Sequence, residues 1–276
     1  MTDQYINIQG VKIRYRDTLG TGLVVLLTHG IGASLEMWEA QLANTDERIR
    51  LIAWDIPGHG LSDAGDQPYN PEKFAQLAWQ LLDALGVEKT VLAGNSLGAS
   101  ISIVMAGIKP DRVTRLMLLN AATVGRESPL PFRLMTLPFL GEVMSKPGKV
   151  AIDQQINAIF HHPESISDHV KNFITRNVMR PGLQSIFLTT VRQITTLGGQ
   201  RKSLVSKSLE ILSSLGIEVL FIHGRHDKVI PLAHSENAHS ITPNSTLLVL
   251  EDCGHTPQIE LPEQITRTLV HFVSGD

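Results

Sequence analysis

A serine flanked by glycines stands between a short apolar run and a helical stretch. Residues 90–93 lead into Gly-Asn-Ser-Leu-Gly at 94–98, and residues 99–107 continue with helical character. Glycines on both sides allow a sharp turn in which strand and helix approach without a clash from a Cβ atom. Such a turn lifts the serine hydroxyl above a sheet and aims the N–H of Leu97 at developing negative charge. Ser96 is therefore the candidate nucleophile, and Asn95 and Leu97 are its neighbours.

An aspartate and a histidine follow later apolar runs. Asp227 comes after the run at 218–222, and His255 comes after the run at 246–250. The order Ser, Asp, His is the one that a hydrolase built on a strand–turn–serine motif requires. The pattern predicts His255 as the base and Asp227 as the acid that orients it.

One other carboxylate competes for the acid position. Asp55 also ends an apolar run, but Pro57 and the glycines at 58 and 60 next to it favour a role in bracing a loop. The run that ends near Asn120 is followed by alanines and offers no carboxylate. We therefore predict that Asp227 is the acid that orients the histidine, and Asp55 stays the alternative.

A glycine-rich loop follows the apolar run at 23–28. Residues 29–32 read His-Gly-Ile-Gly. The N–H of Ile31, next to Gly30, and the N–H of Leu97 can therefore form an oxyanion hole together. A dinucleotide-binding loop is the rival interpretation, but its third glycine would fall at Leu35. A tight turn without a catalytic role is the other alternative.

The remaining histidines and the cysteine do not predict a metal or a disulfide. The pairs 161–162 and 223/226 lack both the helical spacing of two residues four apart and a zinc-type carboxylate pattern. Cys253 is the only cysteine, so it excludes an intramolecular disulfide and is expected to be a small buried side chain. We expect no metal and no cofactor.

Strands and helices alternate over most of the chain. Strands are predicted at 23–28, 51–55, 90–93, 116–120, 218–222 and 246–250. A helix is predicted over 70–85, where Asn70 can cap and Pro71 occupies the first helical position. Near-continuous apolar strands separated by helices indicate an α/β fold with a mostly parallel sheet covered by helices on both faces.

The alternation breaks over residues 124–207, where no convincing strand occurs. Helical pieces are predicted at 131–140 and 167–179, between residues that return to the sheet pattern on either side. We therefore expect a core domain at 1–123 and 208–276 and a helical cap at 124–207, inserted before the last strands over the edge where ligands bind. The expected substrate-binding residues are Gly30, Asn95, Trp38, Leu137, Phe139 and Thr256, although Trp38 can equally fill the core.

Composition excludes several classes of partner. The 276 residues are 42% hydrophobic and 18% charged, with a net charge of −3 and no basic stripe. Nucleic acid and anionic membranes are therefore not expected as partners, and a small-molecule ester is. No signal-like start and no apolar run of ~18 residues is visible, which predicts a cytoplasmic protein. A monomer and a homodimer are equally compatible with these features.

These motifs together resemble the α/β-hydrolase superfamily over essentially the whole chain. A further hallmark is the run Asp-Ile-Pro-Gly-His-Gly-Leu-Ser at 55–62. The chain looks most similar to small bacterial carboxylesterases and to meta-cleavage-product C–C hydrolases. The resemblance implies an eight-stranded sheet, a lid domain, no cofactor, and triad roles for Ser96, Asp227 and His255.

Residue identities within the superfamily favour ester hydrolysis. Relatives that cleave haloalkanes or epoxides carry aspartate where this chain has Ser96. Asn95 is reminiscent of the C–C hydrolases, but they usually carry tryptophan where this chain has Thr256, and Arg176 lies two residues from the register of their cap arginine. A carboxylesterase is therefore predicted. C–C hydrolysis, lactone hydrolysis, acyl transfer, perhydrolysis and a receptor-like binder stay as alternatives.

Overall fold

Eight strands form one sheet in the order β1-β2-β4-β3-β5-β6-β9-β10. A computed structural model describes residues 1–44 and 48–275 of the chain. All neighbouring pairs from β4 to β10 are parallel, whereas β1 with β2 and β2 with β4 are antiparallel. The strands are β1 Gln4–Ile8, β2 Val11–Asp17, β3 Leu23–Thr28, β4 Ile49–Trp54, β5 Thr90–Asn95, β6 Val113–Leu119, β9 Glu218–Gly224 and β10 Ser245–Leu250.

The six predicted strands are all present within a few residues of their predicted ends, and β3 has the predicted bounds. The two antiparallel strands β1 and β2 were not predicted as elements. They alternate exposed and buried positions over part of their length, as edge strands do, and lack the continuous apolar run of the central strands. A short hairpin of β7 Thr195–Thr196 and β8 Gly199–Gln200 lies outside the sheet, in the segment where no strand was predicted.

Helices cover both faces of the sheet, as predicted. One apolar cluster includes side chains of α2, α3 and α9, and the cluster on the other face includes side chains of α1 and α12. No helix among the described residues is long and apolar enough to cross a membrane. The helices are α1 Glu39–Ala43, α2 Pro71–Ala84, α3 Leu97–Ile108, α4 Leu130–Leu134, α5 Leu140–Met144, α6 Lys149–Ile159, α7 Asp168–Met179, α8 Leu183–Ile194, α9 Lys202–Ser214, α10 Leu232–Ile241, α11 Pro257–Glu260 and α12 Pro262–Ser274.

The helix α2 forms where its capping signals predicted it. The side chain of Asn70 accepts a hydrogen bond from the N–H of Lys73 at 2.9 Å, and Pro71 is the first helical residue. Its apolar stripe, which includes Phe74 and Leu81, is buried against the sheet and α3. This packing stabilises the helix that lies next to the Ser96 turn.

The helices α4 to α8 come between β6 and β9 and lie beyond the sheet edge that carries Ser96. The single helix predicted at 131–140 is wrong, because α4 ends at Leu134 and α5 begins at Leu140. Pro138 lacks an N–H, and Phe139 has a left-handed backbone with φ of 64°, so the helix cannot continue through them. The predicted boundary at 207/208 falls inside α9, which packs against α3 and so returns the chain to the sheet layers at Lys202.

Candidate active site

Ser96 lies on the sharp turn that joins β5 to α3. Its backbone has φ of 56° and ψ of −115°, a conformation that L residues rarely adopt outside functional turns. The N–H of Ser96 donates to the carbonyl of Leu119 at 2.9 Å, and its own carbonyl accepts from the N–H groups of Ala99 and Ser100. The sheet and the first turn of α3 therefore hold the strained serine from both sides.

The two glycines that flank the serine are required because a Cβ atom at either position would clash with neighbouring backbone. A Cβ atom on Gly94 would lie 2.3 Å from the carbonyl carbon of Gly98, and one on Gly98 would lie 2.2 Å from the carbonyl oxygen of Thr28. Neither neighbour is a flexible side chain that could move aside. Only glycine at both positions lets α3 pack this close to β3 and β5. This close packing fixes where the serine hydroxyl lies.

The loop at 29–33 packs directly against the serine. A Cβ atom on Gly30 would lie 3.2 Å from the Cβ of Ser96. The ring of His29, fully buried below the loop, contacts the carbonyl of Gly30 at 2.7 Å and accepts from the N–H of Ile56 at 3.1 Å. Ile31 lines the same cavity as Ser96, and Leu97 is the first residue of α3, where N–H groups have no partner within the helix. The two predicted oxyanion donors therefore border one space.

His255 and Asp227 form a close buried pair. The Nδ1 atom of His255 lies 2.7 Å from Oδ2 of Asp227, and the two side chains are 6% and 1% exposed. With Nδ1–H donating to the carboxylate, Nε2 is left as the proton acceptor of a neutral imidazole. His255 also lines the cavity that Ser96 lines. This arrangement can supply a general base to a serine hydroxyl.

The carboxylate of Asp227 has a donor at each oxygen. Oδ1 accepts from the N–H groups of Val229 and Ile230 at 2.7 and 3.0 Å, and Oδ2 accepts from Nδ2 of Asn120 at 2.6 Å. Burial alone would raise the pKa of Asp227, but the charge and hydrogen bond of His255, with that of Asn120, hold the pKa below its ordinary value. Asp227 is therefore ionised at neutral pH and orients the imidazole.

Three side chains that sequence reasoning missed, or assigned elsewhere, position the pair. Asn95, predicted to bind substrate, donates to the carbonyl of His255 at 2.9 Å. Asn120, dismissed because it is no carboxylate, bridges Asp227 and the carbonyl of Gly254. Glu260 accepts from the backbone N–H groups on both sides of His255, at Gly254 and Thr256. No local motif marks these roles, because each depends on a partner far away in the chain or on a loop conformation.

The cavity above Ser96 has a volume of about 570 Å³ and a mainly apolar wall. Its floor comes from the turn at Ser96 and the loop at 30–33, and its roof comes from the segment between β6 and β9. Among its lining residues, Lys228 at the exposed rim is the only one with a formal charge besides the titratable His255. The apolar roof residues include Pro131, Phe132, Met135, Met144, Val178 and Phe187.

Three of the predicted substrate-binding residues lie away from this cavity. Trp38 is fully buried in the apolar cluster beneath the sheet, so its core alternative is the correct one. Leu137 does not line the cavity, and its carbonyl accepts from Arg192. Phe139 is 86% exposed, because the break at Pro138 turns it outward. By contrast Gly30, Asn95 and Thr256 line the cavity, and their binding of substrate stays a prediction.

Asp55, the alternative acid, has other partners. Its oxygens accept from the N–H of Leu35, from the N–H of Leu61 and from the Arg14 guanidinium, at 2.7, 2.7 and 3.1 Å. It is fully buried beneath the loop at 57–62. The carboxylate therefore ties three segments of the core together, in line with the loop-bracing role, and Asp227 is the one that contacts His255.

Comparison with known proteins agrees with this geometry. A sequence model described as alpha/beta hydrolase fold matches residues 24–262. A 2-hydroxymuconate semialdehyde hydrolase of Pseudomonas putida is 30% identical over 267 residues, which cover 94% of this chain and 91% of that protein. An uncharacterized protein of Mycobacterium tuberculosis is 28% identical over 281 residues, 99% of this chain and 81% of that protein.

Solved structures match over nearly the whole chain. A meta-cleavage product hydrolase from Pseudomonas fluorescens IP01 superposes with a TM-score of 0.83 at 25% identity, covering 99% of this chain and 97% of that one. A thermophilic esterase from Thermogutta terrifontis superposes with a TM-score of 0.80 at 24% identity, covering 100% and 99%, a likeness of fold alone. With a family match that spans the sheet from β3 to β10, the serine turn and the histidine loop, the chain belongs to the alpha/beta hydrolase fold family.

Proposed function

We propose that this protein is a serine hydrolase that cleaves uncharged carboxylic esters of small to medium apolar groups. The observation that carries the proposal is the apolar cavity directly above Ser96, in which Lys228 at the rim is the only lining residue with a fixed charge. Apolar lining favours an apolar acyl or alcohol group, and nothing near the serine compensates the desolvation of a carboxylate.

The proposed reaction runs through an acyl-enzyme on Ser96. The Oγ atom attacks the ester carbonyl while Nε2 of His255 takes its proton, and Asp227 stabilises the imidazolium that forms. The N–H groups of Leu97 and Ile31 bind the oxyanion, each such donor being worth about 3–4 kcal/mol in related chemistry. His255 then protonates the leaving alcohol, and water releases the acid by the same path.

The position of Arg176 supports esters over dienoates. Its guanidinium contacts Oε1 of Glu36 at 2.8 Å and donates to Ser34 and Asn177, so its donors are engaged, and Arg176 is not among the residues that line the cavity. Glu36 is 5% exposed and also pairs with Arg14. Moving Arg176 toward a substrate would break this buried network, which is costly. It therefore does not supply a cation for a substrate carboxylate.

Hydrolysis of a C–C bond is the second candidate, and one comparison favours it. The relative from Pseudomonas putida is named as a 2-hydroxymuconate semialdehyde hydrolase and is 30% identical. If this chain shares that activity, Lys228 is the cation that would meet the substrate carboxylate at the cavity rim. Lactone hydrolysis and perhydrolysis use the same triad and differ in substrate or acceptor.

A comparison of kcat/KM distinguishes these reactions, because the ratio measures relative stabilisation of the two transition states. We expect p-nitrophenyl butyrate to be cleaved at least tenfold better than a meta-cleavage dienoate. Lys228→Met should leave ester hydrolysis within about threefold, since an exposed rim charge does not touch the ester. A dienoate preference of tenfold or more, lost in Lys228→Met, would assign C–C hydrolysis instead.

A further inference from the structure

Two histidines and an aspartate converge on the surface, away from the cavity. Oδ1 of Asp252 lies 3.3 Å from Nε2 of His161 and 2.8 Å from Nε2 of His162. One ligand atom from each of the three residues lies within 4.8 Å of the others. The histidines alone have no metal-site spacing, but the fold adds a carboxylate from 90 residues further along the chain.

The donor set and its dimensions fit a divalent transition metal. Two imidazole nitrogens and one carboxylate oxygen are ligands typical of zinc, with water in the remaining position. In a tetrahedral zinc site, ligand atoms are about 3.3 Å apart, because each lies about 2.0–2.1 Å from the ion. Oδ1 of Asp252 already lies at that distance from Nε2 of His161, whereas its 2.8 Å separation from Nε2 of His162 is a hydrogen-bond distance. All three ligand atoms lie within 4.8 Å of one another, so side-chain rotations that lengthen this contact would complete the site.

The surroundings of the three residues also suit an ion. Nδ1 of His162 lies 3.4 Å from Oε1 of Glu164, the kind of carboxylate partner that fixes a ligating histidine. The ring of His226 stacks on that of His161 with centroids 4.0 Å apart, which orients the latter. Asp252 is 75% exposed, so an ion can enter from solvent without disturbing the core.

We propose that His161, His162 and Asp252 form a binding site for a zinc-type divalent ion. The site joins two parts of the molecule, because the histidines follow α6 and Asp252 follows β10. The two segments already meet through Glu260, which accepts from the N–H of His161 and from that of Gly254. A bound ion fixes the helical segment to the loop that carries His255. The proposal is independent of which bond the enzyme cleaves.

Titration calorimetry on the tag-free, EDTA-treated full chain tests the site with ZnCl2 alone. We expect one strong site per chain and a loss of affinity of about tenfold or more in His162→Ala and in Asp252→Ala, since even partners of the ligands change affinity 10–100-fold. His169→Ala is the matched control, because His169 is an exposed histidine that pairs with the single carboxylate of Glu39. It should bind zinc like the wild type.

Two further measurements separate this site from binding at the triad. His255→Ala should keep the wild-type zinc affinity, and zinc should raise the Tm of wild type and His169→Ala but not of Asp252→Ala. Equal affinity in wild type and Asp252→Ala would overturn the proposal. So would binding that disappears in His255→Ala but survives in His162→Ala. Competition by millimolar MgCl2 would overturn the assignment to a zinc-type ion.

Discussion

The sheet that carries the triad and the helical segment that roofs the cavity are built in different ways. Every residue of β5 is buried, as is nearly all of α3, so the Ser96 turn is held by dense packing on both sides. The roof helices α4 and α5 bury no large side chain and α6 buries only Ile156, whereas α7 and α8 bury several, Phe173 and Val191 among them. The catalytic residues are therefore held by dense packing, whereas the helices that contribute Phe132 and Met144 to the cavity make few buried contacts.

The roof is attached through both apolar and polar contacts, because Phe173 and Ile174 of α7 belong to the apolar cluster on one face of the sheet. Arg176 in α7 pairs with Glu36, and Arg180 donates to the carbonyls of Gly60 and Ser62. The N–H of His255 donates to the carbonyl of Ile159 at the end of α6. Such contacts fix position at a few points and leave the apolar wall free to vary. Changes in the core are therefore expected to alter rate or stability, and changes in the roof are expected to alter specificity.

Replacing the two buried core aspartates should have very different effects on kcat. Asp227→Asn should lower kcat by about 10⁴-fold, because an amide favours the wrong imidazole tautomer. Asp55→Asn should instead lower the Tm and leave kcat within about tenfold, since its partners are Arg14 and two loop N–H groups. Ester kinetics and thermal unfolding of both variants make the comparison. A damaging Asp55→Asn with a mild Asp227→Asn would reverse the assignment.

The next effect concerns acid stability of the core. Burial lowers the pKa of His29 to about 3 and that of His59 to about 4, so both stay neutral in the folded protein. The unfolded chain takes up protons near pH 6.5, so stability falls as pH drops below that value. Each histidine should cost about 2 kcal/mol of unfolding free energy between pH 7 and pH 5.

Urea unfolding at the two pH values measures the change, and the loss of unfolding free energy should be about 2 kcal/mol smaller in His59→Gln than in the wild type. Gln lacks a group that titrates in this range. The remaining pH dependence comes from His29, His223 and His234, whose pKa values burial lowers, and from Asp55, whose pKa burial raises to about 6 and which opposes the loss. An equal change in wild type and His59→Gln would show that the His59 ring is solvated or charged in the fold. The ring would then not be buried beneath the loop at 29–33.

Sequence predicted the sheet better than the roof, for a physical reason. The strands and the Ser96 turn follow from apolar runs and from glycines whose hydrogen is required by contacts with neighbouring backbone. Roles that depend on distant partners could not be predicted, such as that of Asn120, whose carboxylate partner lies 107 residues away. In the roof, the break at Pro138 sent Phe139 outward and left Phe132 and Phe187 to line the cavity.

A change in chain-length preference is expected when a roof side chain that lines the cavity is removed. Phe187 lies beside the oxyanion loop, 3.4 Å from where a Cβ of Gly32 would be, and it lines the cavity. Phe187→Ala should shift the ratio of kcat/KM for p-nitrophenyl octanoate over acetate by about tenfold, since one pocket group is worth about 1–3 kcal/mol. Phe139→Ala, the exposed control, should leave the ratio unchanged. An equal shift in both variants would contradict the roof described above.

Covalent labelling shows directly whether Ser96 is the nucleophile. A fluorophosphonate reacts with a serine that a neighbouring base activates, because phosphorus takes the place of the acyl carbon. We expect one adduct per chain in the intact mass, placed on Ser96 by peptide mapping, with ester hydrolysis lost in proportion to labelling. Ser96→Ala should show no adduct while keeping the wild-type Tm. Adduct formation on another residue, or full ester hydrolysis by a completely labelled protein, would contradict the claim that Ser96 is the nucleophile.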